Sequence, residues 1–130
     1  MHIDVIDLDQ TLTENFVKFC CEHLDVYPEV ISVEGWDTPL LINNATGLCY
    51  EVEHDYEYLI HVYTRNRNVT EIYNTVAHEM IHIKQFMKQD LDNVIKFHKP
   101  IYSERWWEKE ASDNSYDIVK KYVDTLYEMV

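Results

Sequence analysis

The residues best suited to chemistry stand together at His78-Glu79-Met80-Ile81-His82. Two histidines four apart share one face of a helix, close enough for both imidazoles to reach a single ion. Glu79 is turned by about 100° from His78. Its carboxylate can therefore sit beside such an ion without holding it, placed to take a proton from a water that the ion activates. This is the chemistry of metal-assisted hydrolysis, and zinc is the ion that the HExxH spacing suits. A catalytic zinc needs a third protein donor and one open position. His98, Glu108 and Glu110 lie downstream. The apolar stripe of the last helix leaves the two glutamates open as third donor, each near an edge of it. Hydrolysis also gains from a donor to the oxyanion of the tetrahedral intermediate. Tyr102, in the loop before Glu110, is the first candidate and His98 the second, in a chain whose ten tyrosines put one near most sites.

The elements that must position these groups follow from periodicity. Asn68 is an N-cap with Glu71 three residues on, as in a capping box. Val69, Ile72, Tyr73, Val76, Ala77, Met80, Ile83 and Met87 give the apolar stripe of a helix that ends near Gln89 or Asp90. A last helix is expected from about Glu104 to the C-terminus, with Trp107, Ala111, Ile118, Tyr122, Leu126 and Met129 on one face. Asp92 to Ile101 reads as a connection. Thr11 to Leu24 is an amphipathic helix closed before Pro28. Val30–Trp36, Leu48–Val52 and Tyr58–Thr64 are strands, the last two able to pair as a hairpin. Helix, strands, helix, helix is an α+β order, with helices packed on one small, mostly antiparallel sheet.

Length and composition bound the rest. The chain has 130 residues, 46% of them hydrophobic, enough for one domain with its own core. Its formal net charge of −13 opposes binding to a phosphate backbone, so no nucleic-acid partner is expected. No apolar run approaches the ~20 residues of a membrane helix, and the acidic start MHIDVIDLDQ is unlike a signal peptide. No membrane association is expected. Three cysteines without framework spacing suit reduced thiols in the cytoplasm. Cys20 and Cys21 read as small core residues.

The pair His78-Glu79-x-x-His82 and Glu110-Ala111 resembles the gluzincins, the thermolysin-like class of zinc peptidases, in which a Glu on a following helix, often directly before Ala, is the third ligand. Residues 68–86, NVTEIYNTVAHEMIHIKQF, are similar more closely to very short gluzincin-like proteins of phages and bacteria. Those carry a helix of the form LxxTLAHExxHxKQ and then an ExEAxxxA segment, here Glu108 to Ser115. The resemblance covers residues 48–118. It implies a minimal zincin-like domain with zinc on His78, His82 and Glu110, and Glu79 as general base. It also implies a peptide or protein substrate paired in extended form with the strand Tyr58–Thr64. For a phage-encoded member the setting would be the host cytoplasm. Two positions depart from these patterns. Ser115 replaces an Ala, and Asn114 stands where thermolysin-like enzymes have an Asp bonded to a zinc histidine. An amide oxygen can accept that bond but polarises the imidazole less. The alternative from another class is a zinc-stabilised binding or regulatory protein without turnover, such as a phage accessory factor.

Overall fold

In the computed structural model, which describes residues 1–40, 45–98 and 105–128, the chain is an α+β domain. The strands are β1 (His2–Ile6), β2 (Val30–Trp36), β3 (Gly47–Glu53) and β4 (Glu57–Tyr63). The helices are α1 (Gln10–Leu24), α2 (Val69–Lys88), α3 (Leu91–His98) and α4 (Trp106–Glu128). The sheet order is β1-β2-β4-β3.

The sheet is mixed, which corrects the expectation of a mostly antiparallel one. β1 pairs with β2, and β2 with β4, in parallel; only β3 and β4 are antiparallel. The physical reason is the connections. α1 carries the chain back along the sheet before β2 begins, as a parallel pair requires, and a hairpin of three residues reverses it between β3 and β4. After β2 the chain passes the place of β4, forms the outer strand β3, and returns to fill the gap. β4 is therefore an interior strand, and among the described residues β3 is a free edge.

Register puts the apolar side chains on one face. Ile3 lies opposite Ile31, which lies opposite Tyr58; Val33 lies opposite Ile60. All are buried, together with Val62 of β4, under α1 and α2. Because side chains alternate, a slip of one residue would turn this whole set outward. The other face carries the half-buried Glu34, Trp36, Leu59 and His61.

α1 is capped by Asp9, whose side chain accepts from the Leu12 amide at 2.9 Å, and it ends at Asp25 in the left-handed conformation (φ 54°). Its inner face buries Phe16, Val17, Cys20 and Cys21. Phe16 stacks on Tyr73 of α2 with ring centroids 4.4 Å apart and meets Tyr122 of α4 edge-on at 5.1 Å. One ring thus ties three helices together. Phe16→Ala is expected to lower unfolding stability by about 3–5 kcal/mol, as loss of a fully buried aromatic does. Urea denaturation with an unchanged m-value checks this. A loss below about 1 kcal/mol would mean that α1 is not held by this contact.

Among the described residues no helix is long and apolar enough to cross a membrane.

Candidate metal centre

α2 begins with the expected capping box. Asn68 accepts from the Glu71 amide at 2.8 Å, and Glu71 accepts from the Asn68 amide at 3.3 Å. Starting there, the helical period points Tyr73, Val76, Ala77, Met80 and Ile83 into the core. It points His78, Glu79 and His82 toward the start of β3 and the first turn of α4, where a cavity of about 690 Å³ opens.

The two imidazoles converge. Their ring centroids are 4.8 Å apart, nearly perpendicular, and donor atoms of His78, Glu79 and His82 all lie within 4.8 Å of one another. His82 is buried and His78 half-buried. Glu79 is only 4% exposed. Burial raises its pKa, while the neighbouring imidazoles pull it down and the Glu108 carboxylate pushes it further up. The net effect is a carboxylate with more affinity for a proton than an exposed glutamate has.

The third carboxylate at the imidazoles belongs to Glu108. Its Oε1 is 2.6 Å from Nε2 of His82, and its Oε2 is 3.6 Å from Nε2 of His78. These two imidazole contacts hold the Glu108 carboxyl well below the usual range. For His82 burial opposes charge, but the Glu108 contact, with Glu79 and Gln85, outweighs it and raises the pKa. A proton on Nε2 and a divalent ion would compete for the same place.

Glu110, the expected third ligand, is elsewhere. Its Oε1 accepts from Lys84 at 3.2 Å and from Gln85 at 3.1 Å. The reason is helical phase. Glu108 precedes Ala111 by three residues and Ser115 by seven, and both of those are buried. Glu110 points along the flank of α4, toward the outer side of α2. Asn114 does not approach the histidines either: it is exposed, and its Nδ2 donates to the Glu110 carbonyl at 2.7 Å. Tyr102 and the side chain of His98 lie outside the described residues.

Sequence reasoning missed Gln85. This side chain is fully buried. Its Nε2 donates to the Trp107 carbonyl at 2.9 Å and to Glu110, which leaves Oε1 to face Nδ1 of His82 at 2.7 Å. Since an amide oxygen only accepts, Nδ1 carries the hydrogen and Nε2 is the atom turned to the site. Gln85 thus makes the bond to His82 that the resemblance implies for position 114. Its place one turn beyond His82, on the same side of the helix, was the available signal. Gln85→Leu is expected to weaken zinc binding by about 10–100-fold, the usual cost of losing a partner behind a ligand. Competition against a chelating dye measures it, and unchanged affinity would deny Gln85 this role.

Two imidazole nitrogens and a carboxylate, converging at the edge of an open cavity, form a donor set that suits zinc. The chain matches no family model, no curated protein and no solved structure.

Proposed function

We propose that this chain is a zinc-dependent peptidase, with zinc held by His78, His82 and Glu108 and with Glu79 as general base. The observation that carries the reading is the convergence of these four side chains from two helices beside the free edge of a sheet.

Bound there, zinc would supply a Lewis acid that acidifies water and polarises a carbonyl. The chain's own groups do the rest. Glu79 takes the proton of the attacking water and delivers it to the leaving amine. Its burial favours the uptake half of that shuttle, since a weakly solvated carboxylate binds a proton more readily. Gln85 keeps Nε2 of His82 turned inward.

The substrate is an extended peptide or protein segment. The strand expected to pair with it, Tyr58–Thr64, corresponds to β4, whose two edges are occupied by β2 and β3. The pairing role moves to β3. The Tyr63 amide donates to the Thr46 carbonyl at 2.9 Å, so the alternating pattern of an antiparallel pair turns the N–H and C=O groups of Gly47 and Cys49 outward. Those free groups border the cavity and can add a peptide strand. A cytoplasmic setting agrees with Cys20, Cys21 and Cys49, all unpaired.

A second reading is a zinc-stabilised binding protein without turnover. It is favoured by the position of Glu108: an ion on all three ligands would join α2 to α4 and so support the fold itself. Both readings require metal. Purified protein is expected to hold about one zinc per chain, and a chelator should lower its melting temperature. Metal analysis and thermal unfolding before and after chelation check this. A chain free of zinc after zinc loading would end both readings. Digestion of a peptide library, with and without chelator, separates them.

A further inference from the structure

We propose that Gly47 is the positioning residue for Glu79, an inference that rests on the reading of Glu79 as the proton carrier. The chain has two glycines, and neither has positive φ. What each contributes is room.

At Gly47 the room is taken by α2. A Cβ there would lie 2.5 Å from Cγ2 of Thr75, and 3.2 Å from both Cγ and Oε2 of Glu79. Neither neighbour yields easily. Thr75 is buried, and its hydroxyl accepts from the Arg67 guanidinium, which also holds the Tyr63 carbonyl at 2.7 Å. Glu79 has the strand on one side and the two imidazoles on the other. The strand cannot easily retreat, because Gly47 lies opposite the fully buried Val62 and the adjacent Thr46 carbonyl is bonded to Tyr63. The backbone of β3 is therefore the wall against which the Glu79 carboxylate rests. Any side chain at residue 47 would force that carboxylate away from its place beside His78 and His82. The same residue opens its N–H and C=O to the cavity, so one position sets both the strand edge and the base beside it.

Three variants test this: Gly47→Ala, Thr75→Ser, and the two combined. Thr75→Ser removes Cγ2 and keeps the hydroxyl that Arg67 holds. In the double variant the methyl at 47 therefore meets Glu79 alone, and the variant is also the more certain to fold. Crystal structures of zinc-loaded protein, zinc content and steady-state kinetics are the readouts. In the double variant the Glu79 carboxylate should lie a few tenths of an ångström from its original place, with zinc still bound. Such a shift should lower kcat by about 3–10-fold while KM changes by less than about twofold, because a misplaced base hurts the reaction more than binding. An unmoved carboxylate in the double variant would overturn the proposal. So would recovery of full turnover when Thr75→Ser is added to Gly47→Ala, since the crowding would then run through Thr75. If the unmodified protein cleaves nothing, the peptidase reading fails by itself, and the crystal structures still decide where Gly47 puts Glu79.

Discussion

Glu108→Ala should cost the chain its zinc, and Glu110→Ala should not. The two glutamates are two residues apart on one helix, so the pair of variants is a sharp test of which way α4 is turned. Glu108 reaches both imidazoles; Glu110 is held by Lys84 and Gln85. Structural zinc sites with four ligands bind with roughly 10–16 kcal/mol, so one ligand carries about 3 kcal/mol, and its loss should weaken binding by at least about 100-fold. Glu110→Ala removes only an outer contact of Gln85 and should change affinity by less than about tenfold. Competition titration against a zinc-binding dye gives both numbers. The reverse order, with Glu110 the costly loss, would mean that α4 is rotated relative to this structure.

Glu79→Gln should leave zinc and fold in place and remove most of the turnover. The amide keeps the size of the side chain and cannot accept the proton. General-base catalysis commonly contributes about 10²–10⁴-fold, and the loss should fall in that range. Affinity for zinc should change little, because Glu79 lies beside the two imidazoles and is not counted among the ligands. The assay is digestion of a peptide library by the two zinc-loaded proteins. Equal cleavage by both would assign the activity to a contaminant or to another mechanism. No cleavage by either would favour the zinc-stabilised binding protein.

The strongest periodic segment was the most readable one. The capping box at Asn68 and the stripe from Val69 to Met87 marked α2 to within a residue or two, and the HExxH on it marked the imidazole pair. Strand β2 was equally clear, since Val30 to Trp36 alternates and ends at a turn. What was not readable depended on partners remote in sequence. β1 is short and carries an aspartate and a histidine among its five residues, so it has little pattern until its pairing with β2 buries Ile3. Nothing local states that β3 lies outside β4, so the sequence does not tell which of the two is the edge strand. For the third carboxylate, resemblance points to Glu110 and helical phase to Glu108, the one beside the imidazoles. Counted at 100° per residue, Glu108 lies within about 50° of the mean direction of the buried α4 side chains, and Glu110 more than about 110° away. Ser115 and Val119, both buried, belonged in that count, whereas Leu126 is 45% exposed.

The spacing of the three proposed ligands has an entropic consequence. His78 and His82 come from adjacent turns of one helix, so their mutual placement needs nothing but that helix. Glu108 arrives roughly 26 residues later, and an ion held by all three closes a loop of that length. A fragment or a partly unfolded chain that keeps α2 would still offer two imidazoles, a weak and unselective pair. The full donor set exists only while the first turn of α4 is docked against α2. Occupancy would then report on folding: the ion is gripped when the chain is complete and shed when α4 swings away, so degradation of a damaged molecule would return its zinc before the helix that carries the histidines has melted.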